Sequence, residues 1–97
     1  MPRPTRLPDA ALQRFLAEPP SWQIVDGMLT RTFDLPSYAA GISFVVAIGF
    51  AAEKIDHHPD LAVTYKRVRV ALSTHEAGGI TELDTTLARA IDALAPR

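Results

Sequence analysis

The apolar positions along the chain change period several times, and each change marks an element. Over residues 9–18, Ala11, Leu12, Phe15 and Leu16 recur at helical spacing on one face, with Asp9 near the start and Pro19-Pro20 just past the end. That pattern predicts a short amphipathic helix. Trp22 and Ile24, then residues 28–35, frame Asp26-Gly27, a pair suited to a two-residue hairpin turn because glycine tolerates positive φ. In the second arm Leu29, Arg31 and Phe33 share one face while Thr30, Thr32 and Asp34 share the other, the alternation of a β-strand.

Pro36-Ser37 opens a stretch over 38–52 in which Ser43 is the only clearly polar side chain, and it ends at Glu53-Lys54-Ile55-Asp56. A membrane-spanning helix needs roughly 20 apolar residues; this stretch is shorter and contains Gly41 and Gly49. It predicts a helix buried on most sides, since a helix apolar all round must be covered all round. A chain of 97 residues has little material to cover it alone, so the 36–55 helix is expected to form a subunit interface. After His57-His58-Pro59-Asp60, residues 61–65 and 68–73 are rich in β-branched side chains and separated by Lys66-Arg67, which predicts a second hairpin whose turn lacks glycine or asparagine. Gly78-Gly79 ends the strand. Thr81, with Asp84 three residues on, resembles a capping box, and Leu83, Leu87, Ile91 and Leu94 carry a final helix to Ala95.

The predicted order is α-β-β-α-β-β-α in a single domain spanning 1–97. It belongs to the α+β class, a four-stranded antiparallel sheet with three helices packed on one face. Residues 1–8, with three prolines and two arginines, are expected to form a loose arm.

Composition narrows the function classes. Apolar residues make up 47% and charged residues 22% of the chain, ordinary globular values that exclude disorder as the dominant state. A formal net charge of -1 gives no electrostatic reason to expect nucleic acid as a partner. The absence of cysteine removes disulfides, thiolate metal sites and a cysteine nucleophile. The first residues are not followed by an apolar run of the secretory kind; the cytoplasm is the default expectation, with no membrane partner. There is no glycine-rich phosphate loop, no dinucleotide fingerprint and no G-x-S-x-G elbow.

All three histidines lie between residues 57 and 75. His57 and His58 end the long helix, and the second hairpin would return His75 towards them. Histidine exchanges protons near neutrality, its unperturbed pKa being about 6.5, so a cluster suits a reaction that needs both an acid and a base. Two other readings stay open on pattern alone. The histidines could be surface groups at element ends, favoured at 57–58 by the helix dipole. They could also be metal ligands, although no H-x-x-x-H or H-x-H spacing and no cysteine supports a closed zinc site. Glu53, Asp56 and Asp60 surround the pair and could orient an imidazole. Asp84 serves the start of the last helix equally well, and Glu82 and Asp92 read as solvated helix charges.

The spacing Glu53, His57-His58-Pro59, Tyr65, Ser73-Thr74-His75-Glu76, Asp84 resembles the signature of the pterin-4a-carbinolamine dehydratases. The segments 52–59 and 72–76 carry the resemblance, which extends from about Leu7 to Leu94. It implies dehydration of a 4a-hydroxytetrahydropterin to quinonoid dihydropterin, in tetrahydrobiopterin recycling. His57 and His75 would be the acid and base, and His58 would bind and polarise the pterin. Glu53, Asp56 and Asp84 would support these rings, and Pro59 and the backbone over Thr74, His75, Glu76 and Ala77 would line the pterin slot. No cofactor or metal is implied, because the pterin is the substrate. The family also implies homodimers joined at sheet edges and homotetramers packed through the long helix. Noncatalytic relatives, which bind a transcription factor or assist assembly of a carbon-fixing enzyme, would be expected to lose part of the histidine set. Leu61, where an aromatic is common, and Leu83, where an arginine is common, depart from the family pattern at the rim of the site.

Overall fold

The first helix, α1 (Asp9–Ala17), buries Phe15 and leaves most of its length in contact with solvent. Strands β1 (Gln23–Val25) and β2 (Met28–Asp34) close through Asp26 and Gly27, both at positive φ, and Val25 pairs with Met28 across the turn. Two consecutive left-handed residues match the right-handed twist of the flanking strands, which explains the Asp-Gly pair. The second hairpin, β3 (Asp60–Thr64) and β4 (Arg67–Leu72), turns at Tyr65 and Lys66, with Thr64 facing Arg67. Its turn sits one residue earlier than the sequence suggests, because Tyr65 adopts the left-handed conformation (φ 50) without glycine. Helix α2 (Tyr38–Lys54) is started by the Ser37 hydroxyl, which accepts the Ala40 N–H at 3.0 Å, and α3 (Glu82–Leu94) ends the fold. The computed structural model describes residues 4–96.

All strand pairs are antiparallel, in the order β1-β2-β4-β3. The chain therefore leaves β2, crosses through α2 to the far edge at β3, and inserts β4 between them; β2 and β3 run parallel with β4 between. This α+β arrangement, with element order α-β-β-α-β-β-α, agrees with the sequence reading. Val68, Val70 and Leu72 of β4 and Leu29 and Phe33 of β2 meet Phe44, Ile48 and Ala52 of α2 and Leu87, Ala88 and Ile91 of α3 in one core. Phe33 makes edge contacts with Phe44 (ring centroids 4.9 Å apart) and Trp22 (6.1 Å), a favoured aromatic geometry.

Within one chain α2 is covered at Gly41, Phe44, Ile48 and Ala52, whereas Val46 and Phe50 are 53% and 74% exposed, so a chain of this size leaves part of its apolar helix uncovered. Among the described residues no helix is long and apolar enough to cross a membrane. Two expectations need revision. The arm is not loose where it is described: Arg6 bridges Thr81, and the Leu7 N–H donates to the Ile80 carbonyl at 2.9 Å. Residues 1–3 of the expected arm lie outside the described residues. Asp92 is not a solvated helix charge. Its carboxylate accepts from Trp22 Nε1–H at 3.1 and 3.0 Å and from Arg31 Nη1 at 2.5 Å, while the Arg31 guanidinium lies 4.2 Å above the Phe33 ring. This explains an arginine on the core face of β2.

Truncating Asp92 leaves the indole N–H of a buried tryptophan without its acceptor, a loss of about 2 kcal/mol. Urea melts of Asp92→Ala should show that destabilisation, and Asp92→Asn, which keeps an acceptor, a smaller one; unchanged midpoints in both would contradict the role of the contact.

Candidate active site

Helix α2 stops in a way that fixes where its two histidines go. Ile55 closes the helix, Asp56 enters the left-handed region (φ 50), and the N–H groups of Asp56 and His57 return to the carbonyls of Glu53 (3.2 Å) and Ala52 (3.1 Å). Helices commonly end in this paired reversal with glycine at the left-handed position; aspartate is among the few other residues that enter the region readily. The His57 backbone is thus tied to the last helical turn, and the neighbouring rings diverge. His57 turns inward, its Nε2 2.5 Å from Asp84 Oδ1, with the two side chains 11% and 0% exposed. His58 stays outside, its Nε2 3.0 Å from Glu53 Oε1, both groups largely in solvent.

Asp84 lies in the first turn of α3, and burying its carboxylate is tolerable only because its oxygens are met. Oδ2 accepts the Thr81 backbone N–H at 2.9 Å, the reciprocal half of the capping box, and the Thr74 hydroxyl at 2.8 Å. The Thr74 and Thr81 hydroxyls are 2.8 Å apart, and the Leu83 N–H donates to Thr81 Oγ1 at 3.2 Å. Both threonines are buried. No buried side-chain nitrogen or oxygen lacks a partner among the described residues.

Thr74 follows the end of β4 and forms an isolated bridge with Gly79, its N–H donating to the Gly79 carbonyl at 2.9 Å. The loop between them is a single 3-10 turn, His75–Ala77, ended by Gly78 at φ 69. His75 is therefore presented in the residue after Thr74, exposed, beside a shallow cavity of about 290 Å³ that Asp26, Gly27, Ser73 and Gly78 also line. Glu76 is exposed, and Pro59 and Ala77 are half-buried.

Asp84 thus joins the His57 turn to the segment carrying His75, two stretches that the sequence expects to meet. The three histidines make no hydrogen bonds to one another among the described residues. Glu53, Asp56 and His58 form a separate exposed group whose donor atoms lie within 4.8 Å of one another. These three residues could approach a divalent cation from one turn. Leu61 packs half-buried against the core. Leu83 lines a cavity of about 590 Å³ with Ile55, Leu7 and Pro8, between the arm and the helix ends. The sequence reading missed the Thr74 hydroxyl, which it cast as backbone lining, and saw in Thr81 only a cap. The capping box was visible as a local motif, whereas the partnership of Thr74 with Asp84 spans ten residues and two elements and has no local signal. The arrangement offers one imidazole braced by a buried carboxylate and others open to solvent, groups suited to giving and taking protons.

The family model described as "Pterin 4 alpha carbinolamine dehydratase" matches residues 5–94. A Chloroflexus aurantiacus protein named "Putative pterin-4-alpha-carbinolamine dehydratase" is 47% identical over 87 residues, 90% of this chain and 94% of that protein. The crystal structure of a transcriptional coactivator/pterin dehydratase from Brucella melitensis superposes with a TM-score of 0.88 at 36% identity, covering 95% of this chain and all of that one. A pterin dehydratase-like protein identified as a RuBisCO assembly factor in the alpha-carboxysome is similar with a TM-score of 0.62 at 28% identity, over 76% of this chain and 86% of that one.

The turn after α2 can be tested apart from any chemistry. A side chain in the left-handed region costs about 1 kcal/mol relative to glycine, and alanine lacks the local hydrogen bonding that helps aspartate there. Asp56→Gly should melt at or above the wild-type temperature, and Asp56→Ala about 4–8 °C below Asp56→Gly; identical melting of the two variants would contradict the left-handed turn.

Proposed function

The chain belongs to the pterin 4 alpha carbinolamine dehydratase family, and on that premise we propose that it is a 4a-hydroxytetrahydrobiopterin dehydratase. In this reading it is a cytoplasmic hydro-lyase that eliminates water from the carbinolamine to give quinonoid dihydropterin in tetrahydrobiopterin recycling. The observation that carries the proposal is the inward His57 ring held 2.5 Å from a carboxylate at zero exposure, which also accepts from Thr74, the residue before His75.

Dehydration breaks the C4a–O bond as the N5 lone pair moves towards C4a, and N5 then loses its proton. Hydroxide is a poor leaving group, so the hydroxyl must receive a proton as the bond breaks; N5 must lose one. His57 and His75 divide these tasks, and His58 binds and polarises the pterin. Asp84 braces His57, Glu53 braces His58, and Asp56 shapes the turn between them. Pro59 and the backbone over Thr74, His75, Glu76 and Ala77 line the slot. The step needs no metal or cofactor, since both protons move between imidazoles and substrate.

The same reading assigns the assembly. Ile42, Val46 and Phe50 recur every four residues on α2 and are exposed, so α2 is the helix through which subunits would pack. The edge strands β1 and β3 are the edges through which sheets would join. A homodimer or homotetramer is the expected state in light scattering, and a monomer at all concentrations would overturn the assembly.

Stopped-flow measurement of 4a-hydroxytetrahydropterin dehydration tests the activity. The protein should accelerate the reaction over buffer, and His57→Ala should lose about 10²-fold in kcat, the lower end of what one acid or base contributes. No acceleration by the wild type would overturn the enzymatic reading, and a full rate in His75→Ala would overturn only the role of His75. Stoichiometric zinc in the active protein would contradict the metal-free route.

A further inference from the structure

Every hydrogen bond around Asp84 has a direction that chemistry fixes. A carboxylate has only acceptors, so the hydroxyl proton of Thr74 points to Asp84 Oδ2. Thr74 has no second proton to give. The 2.8 Å contact with Thr81 must therefore run from the Thr81 hydroxyl to Thr74 Oγ1. That leaves Thr81 Oγ1 free to accept the Leu83 N–H, as it does at 3.2 Å. The order is Leu83 N–H to Thr81, Thr81 O–H to Thr74, Thr74 O–H to Asp84, each link polarised in one sense. The other carboxylate oxygen, Oδ1, is an acceptor as well, so His57 Nε2 must carry the proton in the 2.5 Å contact.

A neutral imidazole with its proton on Nε2 has its lone pair on Nδ1. His57 Nδ1 makes no hydrogen bond among the described residues, and no buried side-chain nitrogen there is unpartnered; Nδ1 accordingly reaches the surface. We infer that the buried threonines Thr74 and Thr81 are positioning residues. By anchoring Oδ2 of the Asp84 carboxylate, they keep Oδ1 facing the ring, which selects the Nε2–H tautomer of His57 and makes Nδ1 the atom that exchanges a proton with the substrate. The family resemblance assigns neither hydroxyl this task. The kinetic part rests on the dehydratase reading, whereas the tautomer does not.

The experiment separates the two. Nitrogen-15 NMR of ring-labelled protein, recorded alkaline of the ordinary histidine range, should show His57 with a protonated, pyrrole-type Nε2 and a pyridine-type Nδ1. A protonated Nδ1 in the wild type overturns the inference, and because this needs no variant, a substitution that fails to fold cannot shield it. Thr74→Val removes the hydrogen bond to the charged acceptor and the one accepted from Thr81 while keeping the side-chain shape. By freeing the carboxylate to turn from the ring, it should lower kcat about tenfold with KM within about twofold and move the His57 shifts towards a tautomer mixture; Thr74→Ser should restore both. A folded Thr74→Val with wild-type shifts and kcat overturns the role of the threonines. Protein with the predicted tautomer but no dehydration would defeat the functional reading alone, and dehydration by protein protonated at Nδ1 would defeat this inference alone.

Discussion

Burying an ionised carboxylate costs several kcal/mol unless its lone pairs are met, and Asp84 sits at zero exposure at the junction of three separate stretches of chain. The Thr81 N–H and the Thr74 hydroxyl meet one oxygen and the His57 ring meets the other. Removing any one donor leaves the others organised around an incomplete partner. This single group therefore ties the start of α3, the end of β4 and the turn after α2 into one unit.

The fold supplies those three stretches at one end of the sheet. Because β4 is threaded between β2 and β3, its end at Leu72 and the start of β3 at Asp60 lie side by side; Asp60 pairs with Ala71. The residues just outside both strands, His57 to Pro59 and Ser73 to His75, are then neighbours without a special loop. Helix α3 packs against α2 and delivers Asp84 to the same end. The arm reinforces that end through Leu7 and Arg6, which pair with Ile80 and with the cap residue Thr81 itself.

What the sequence made legible follows the range of each interaction. The Asp26-Gly27 turn, the Thr81 and Asp84 cap and the helical spacing of Leu87 and Ile91 are local patterns, and each appears where its residues predict. Features that require a distant partner were misread. Asp92 looks like a surface charge until Trp22, seventy residues away, is placed against it. Thr74 looks like backbone until α3 brings a carboxylate to its hydroxyl. Tyr65 and Asp56 take left-handed conformations with no glycine to announce them, so one turn falls a residue from where the sequence places it, and the end of α2, placed correctly at 55, carries a reversal that the sequence does not signal. Among the candidate site residues, the meeting of the His57 and His75 segments was foreseeable from the hairpin between them. The divergence of His57 inward and His58 outward depends on the turn at Asp56.

The central claim is that one buried carboxylate serves both the fold and the tautomer of His57, and Asp84→Asn tests it most directly. The amide can still accept from Thr81 and Thr74 through its oxygen, but its NH₂ then faces His57 and demands an acceptor at Nε2, which moves the ring proton to Nδ1. A comparable swap behind a catalytic histidine costs up to about 10⁴-fold in rate with geometry intact. Measured together on Asp84→Asn, the dehydration rate should fall by at least about 10²-fold while the protein stays folded and its melting temperature drops only modestly. A folded variant that dehydrates the carbinolamine at the wild-type rate would contradict the account.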